Sequence, residues 1–178
     1  MKNLFTILFT LVNLFLFSQE KLSYSKVIKV DSTISKDVLF NRVSNKLSTL
    51  FGSNFKYERD VILSDKSQGI IKIKFTKPYH KGESFSNVAG DIDFNMTFLF
   101  KDGKSKVDLT DFKHYGNTSL GTILDTDSYP YNDKKMFKKT MDKNWIKLRE
   151  FLDEYKNTLF DISSNLLTKP DETENNNW

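Results

Sequence analysis

The chain contains no cysteine. That absence excludes a disulfide framework, a thiolate nucleophile, a cysteine-based zinc site and a lipid-modified cysteine behind a signal peptide. Arginine is scarce, occurring only at Arg42, Arg59 and Arg149. No cluster of planar forks is therefore available to grip phosphates. Histidine occurs only at His80 and His114, and their spacing matches no helical metal-binding motif. There is no G-x-S-x-G elbow for a nucleophilic serine. LGTILDTD, around Leu120, has a single glycine and cannot cradle a pyrophosphate. DTDSYPYND has alternating acids but lacks the glycine and terminal glutamate of a calcium loop.

Charge of one sign is also weakly represented. The formal net charge is +4, and lysines are interspersed with acids rather than gathered on one face as in nucleic-acid binders. What the sequence does have is phenylalanine. Sixteen Phe among 178 residues, with 38% hydrophobic content, suffice for the core of a single domain of ordinary size. The opening MKNLFTILFTLVNLFLFS has a basic start at Lys2 and an apolar run from Leu4 to Phe17. Its length fits a signal-peptide core, whereas a membrane span needs roughly 20 apolar residues. The expected cut lies between Ser18 and Gln19; an uncleaved N-terminal anchor is the other reading.

The expected elements are a strand over Tyr24–Asp31, a helix, four strands and a long helix. Lys36–Phe51 has helical spacing at Leu39, Phe40, Val43, Leu47, Leu50 and Phe51, with Arg42, Asn45, Lys46 and Ser48 opposite. Ser35 is its N-cap, Asp37 suits the helix dipole and Gly52 ends it. Strands are predicted at Tyr57–Leu63, Gly69–Thr76, Val88–Phe100 and Lys104–Phe112, with a break from Pro78 to Gly82. In the third of these, Ile92, Phe94, Met96, Phe98 and Phe100 alternate with Asp91, Asp93, Asn95, Thr97 and the misfit Leu99. Asp102-Gly103 signals a type I′ hairpin turn. A loop is expected from Lys113 to Asn132. Phe137, Met141, Trp145, Leu148, Leu152, Tyr155 and Leu159 then form one stripe of a helix over Asp133–Phe160. The stretch 168–178 reads as a disordered tail after a single domain over 19–167.

Short turns make the strands antiparallel, and one apolar face per element gives two layers. The fold expected is α+β in the order β-α-β-β-β-β-α, with both helices on one sheet face. The segments SKDVLFNRV, GIIKIKF and GDIDFNMTFLFKDGKSKVDLTDF, set in that order, resemble a family of exported bacterial domains of unknown function. The resemblance spans Tyr24 to Phe160. It implies a TATA-binding-protein-like fold, with helix-grip folds a related arrangement, and residence outside the cytoplasm. It supplies no catalytic residues.

The fold name does not imply DNA binding. Asp91, Asp93 and Asp108 share the open sheet face with Lys72, Lys74 and Lys106, and carboxylates there repel phosphates. Paired carboxylates do acid–base chemistry when desolvated; on a wet face, cross-strand pairing with lysine is the expected role. His80 and His114 are expected as exposed loop residues, with a hydrolase using His114 as the enzymatic alternative. Tyr115, Tyr129 and Tyr131 suit recognition or cover the edge of the apolar layer. The function expected is a non-enzymatic, exported binding or accessory domain of the bacterial envelope, in the periplasm or outside the cell, with no cofactor, no metal and no membrane span after signal cleavage. Its partner would be a protein or glycan. Its candidate surface is Tyr115, Tyr129, Tyr131, Lys72, Lys74, Asp91 and Asp93. The alternative is a carrier of a small apolar ligand between sheet and long helix.

Overall fold

The computed structural model describes residues 20–52, 55–80, 88–131, 137–171 and 174. The signal-peptide reading for 1–18, the side chain of Leu50, residues 81 and 82 of the expected break, the helix start at 133 and the last four residues lie outside the described residues.

Along the chain come β1 (Tyr24–Lys29), α1 (Lys36–Phe51), α2 (Tyr57–Asp60), β2 (Val61–Asp65), β3 (Ile70–Tyr79), β4 (Gly90–Lys101), β5 (Lys104–Gly116), β6 (Gly121–Thr122) and α3 (Lys138–Thr168). The strands form one antiparallel sheet in the order β1-β5-β4-β3-β2, with β6 paired to β5. The expected α+β order holds, with α2 and β6 as additions.

The alternation in β4 governs the layers. Ile92, Phe94, Met96, Phe98 and Phe100 are all buried, beside Ile71 and Ile73 of β3 and Val107 and Leu109 of β5. Above them α1 lays Leu39, Phe40, Val43 and Leu47, and α3 lays Trp145, Leu148, Leu152 and Leu159. Both helices therefore cover one sheet face. Each of those β4 side chains contributes about 1.5–3 kcal/mol by area.

Helix α1 starts as its sequence requires. Ser35 caps it by accepting from Val38 N at 3.4 Å. A second cap comes from the β4–β5 turn, where Asp102 Oδ1 accepts from Lys36 N at 2.6 Å. That turn is not the expected type I′. Gly103 has φ 69°, but Asp102 is not among the positive-φ residues, and its carboxylate is committed to the helix.

Five further differences have local causes. Tyr57–Leu63 does not form one strand: Arg59 and Asp60 N–H groups bond back to Lys56 O, Asp60 Oδ2 accepts from Lys56 N, and the extended run starts at Val61. Strand β3 continues through Pro78 to Tyr79 because β2 stops pairing at Ile73, and one open side accommodates proline. The expected loop over Lys113–Asn132 is partly sheet, since β5 runs to Gly116 and β6 returns against it. Phe137 precedes α3 and is 59% exposed rather than part of the stripe, and α3 extends to Thr168.

The fifth concerns the tail. Among its described residues, Asp171 is buried and Glu174 is tied back to α1. Glu174 receives two bonds from Arg42 (Nε–Oε1 2.6 Å, Nη2–Oε2 2.7 Å), and Arg42 also donates to Leu167 O. Asn45 donates to Asp171 Oδ2 at 2.6 Å. Arg42 is thereby buried, not on a wet helix face.

Two measurements check this arrangement. Phe98→Ala is expected to lower stability by roughly 3–5 kcal/mol in urea unfolding; a loss below about 0.5 kcal/mol would put that face outside the core. The hydrogen bonds from Arg42 hold the Glu174 carboxyl below its ordinary value. Its contribution is therefore complete above the unfolded value, about 4.3, and is lost as pH falls through the lower folded value. The stability difference between wild type and Glu174→Gln should be constant above about pH 5 and shrink below about pH 4.

Candidate functional site

The residues proposed from sequence separate into two groups. Lys72, Lys74, Asp91, Asp93 and Tyr115 share the outer sheet face: Asp91 pairs with Tyr115 in register, and Lys72 lies in the row of Thr97 and Asp108. The charges there are largely matched. Lys74 meets Asp93 at 3.1 Å, Lys106 meets Asp108 at 3.0 Å, and Thr76 Oγ1 donates to Asp93 Oδ1 at 2.7 Å. Lys113 places its ammonium over the Tyr115 ring.

Tyr129 and Tyr131 lie elsewhere, against Trp145 of α3, with ring centroids 5.6 and 6.5 Å from it. Tyr129 packs on the core, and Tyr131 Oη donates to Thr122 O at 2.7 Å. These two tyrosines cover the end of the apolar layer. Desolvation raises the Tyr129 hydroxyl above its ordinary value.

His114 is fully buried, contrary to the expected loop position. The cause is a bulge. Asp93 pairs with Lys113 and Asn95 with Thr110, so β5 sets two residues against one at Asp111–Phe112. Asp111 takes φ 59°, held by Asn95 Nδ2 at 2.9 Å and Lys21 Nζ at 3.3 Å. Inward positions are odd-numbered before the bulge (Val107, Leu109) and even-numbered after it (Phe112, His114). The imidazole is then fully engaged. Leu120 N donates to Nδ1 at 3.1 Å, so Nε2 carries the proton and donates to Val88 O at 2.9 Å. Burial lowers its pKa. Nearby Tyr79 is likewise buried, and desolvation pushes its hydroxyl up to about 12. His80 is exposed. Among the described residues no group of three or more His, Asp or Glu is placed to hold a metal.

The space between sheet and helices is filled by Trp145, Phe94, Phe98 and Phe112, all fully buried or nearly so. A hollow of about 570 Å³ lies instead at the margin, lined by Phe51, Phe55, Arg59, Asp60, Lys74, Phe75, Thr76 and Pro78. Three local facts create it. Gly52 ends α1 at φ 73° and ψ −172°, a region essentially restricted to glycine. The chain then returns through Phe55 into α2. Strand β2 matches β3 only from Ile70 to Ile73, which leaves β3 without a strand neighbour on that side beyond that point.

Aromatic rings floor the cleft. Phe51 meets Phe75 edge-on at 4.2 Å and Phe55 at 5.8 Å, and Phe75 stacks on Phe94 at 5.4 Å. At the rim Arg59 grips Asp60 through Nε–Oδ1 at 2.6 Å and Nη2–Oδ2 at 2.7 Å. Those bonds hold the Asp60 carboxyl below its ordinary value. Sequence reasoning named Lys74 but missed the other seven lining residues. They come from two segments whose meeting follows from strand lengths, which no motif encodes.

The architecture is that of a TATA-binding-protein-like α+β domain. Residues 24–115 match the family described as a domain of unknown function (DUF4468) with TBP-like fold, and the chain belongs to it. Two crystal structures share the fold. A DUF4468 family protein from Bacteroides ovatus has TM-score 0.61 at 16% identity, over 85% of this chain and 89% of its own. A TBP-like protein from Parabacteroides distasonis has TM-score 0.53 at 15% identity, over 82% and 94%. No curated protein matches the sequence. No helix among the described residues is long and apolar enough to cross a membrane.

His114 gives a clear expectation. Its depressed pKa means the unfolded chain binds a proton first as pH falls below about 6.5, so its contribution to stability is present above that value and fades toward the lower folded pKa. At about pH 6.5, where an ordinary histidine is half protonated, the ring nitrogen NMR shifts of His114 should stay those of the Nε2–H tautomer. An imidazolium signal at that pH would contradict the buried geometry.

Proposed function

We propose that this is a non-enzymatic binding module of the bacterial envelope, exported by its N-terminal segment, whose contact site is the cleft at the margin of β3. The observation that carries this reading is the cleft itself: an aromatic floor of Phe51, Phe55 and Phe75 within a polar rim. Recognition surfaces combine an apolar centre with a polar border in this way. The filled layer beneath α3 favours a surface site over carriage of an apolar molecule inside the domain. His114, with both ring nitrogens engaged by backbone, favours a structural role for that residue over general-base chemistry. Export rests on the opening MKNLFTILFTLVNLFLFS.

The test is capture from envelope extract by the immobilised full chain, set beside Phe55→Ser and Lys74→Glu variants. A protein or glycan retained by wild type and lost from both variants is the expected result. Capture that survives both changes, or that depends instead on Tyr115 and Asp91, would overturn the assignment of the site.

A further inference from the structure

We propose that the cleft receives an extended peptide segment of a partner protein, which adds to the sheet as an extra strand beside Lys74–Thr76. This inference rests on the cleft reading above and specifies its occupant. Its first support is backbone chemistry. Strand β3 pairs with β4 along its whole length, from Ile70 to Tyr79, but with β2 only as far as Ile73. Among the described residues, no strand residue stands opposite the other side of β3 beyond that point. Alternate residues of an antiparallel edge direct both N–H and C=O outward. The chemistry that answers such a row at its own spacing is another extended backbone.

The second support is the contrast with the other edges. The free edge of β1 carries exposed Lys26 and Lys29, and β2 is short and bulged between Val61 and Leu63. These features blunt strand pairing. The β3 edge is protected differently, by recession into a cleft that Phe51, Phe55, Arg59 and Asp60 also line. A recessed edge admits a single strand and turns away the broad margin of a second sheet, which argues against another copy of this chain.

The lining also limits register and side chains. Lys77 turns its ammonium over the Tyr155 ring, 4.9 Å from the centroid, and Pro78 has no N–H to donate. The usable run is therefore Lys74–Thr76, roughly 10 Å at about 3.3 Å per residue. Phe75 sits at its centre, so a bound peptide would place an aromatic or branched apolar residue against Phe51, Phe55 and Phe75. Arg59 and Lys74 are both paired with carboxylates, and the peptide need not be acidic.

The test uses a phage-displayed library of random short peptides selected on the full chain, with selected peptides then synthesised. Binding is expected to slow hydrogen exchange at those Lys74–Thr76 amides that point away from β4. Methylating the backbone nitrogen of alternate peptide residues should weaken binding on the order of tenfold or more, while methylating the intervening ones has little effect. A peptide that occupies the cleft yet tolerates every N-methylation overturns strand addition and leaves the cleft reading intact. So does self-association of the full chain that Phe75→Lys abolishes, since the occupant is then a second copy. Failure to select any peptide that protects these amides overturns the inference as well. The cleft reading fails separately, through envelope capture that ignores Phe55→Ser and Lys74→Glu.

Discussion

The constraint on which the structure depends is that one side of β4 must stay dry from Ile92 to Phe100. Five large side chains point the same way from one strand, and no single helix covers a strip that long. Helix α1 covers the Phe100 end, where Phe40 meets Phe100 edge-on, and α3 reaches Phe94 through Tyr155. The opposite face follows from the same alternation. It remains wet, and its lysines and aspartates settle into local pairs because bringing them together involves little desolvation.

Much of this was legible in the sequence because periodicity transmits it directly. Strand β4 and the stripe of α1 obey the two- and 3.6-residue repeats closely enough that layer order and helix placement follow. Periodicity fails where the phase slips. Asp111 falls on the inward phase set by Val107 and Leu109, yet it takes the positive-φ position of a bulge, and every position after it changes face. That one residue moves His114 from an imagined loop into the core. Arg42 misleads for a different reason: a charged residue on a helix reads as solvated unless its counter-charge is identified, and Glu174 lies far along the chain.

The cleft was the least legible feature. It is made by a mismatch in length between β2 and β3 together with the direction in which Gly52 sends the chain out of α1. Phe51 reads as the last residue of a stripe and Phe55 as a stray aromatic before a strand. Their meeting with Phe75 is a consequence of geometry that only the assembled sheet contains. The tyrosines attracted attention because amphipathic residues in a long connection suggest contact with a partner. In this chain Tyr129 packs on the core beside Trp145, while Tyr131 borders the same ring and stays exposed.

The placement of β1 at the far edge has a consequence for how the chain reaches this state. Strands β3, β4 and β5 succeed one another as hairpins and zip locally. β1, made first, has no mate until β5 exists, because Tyr24 faces Leu109 and Lys29 faces Lys104. Closing so large a loop is slow relative to hairpin formation. Assembly is thus nucleated from the middle outward, and the amino-terminal strand is a late arrival onto a ribbon already made.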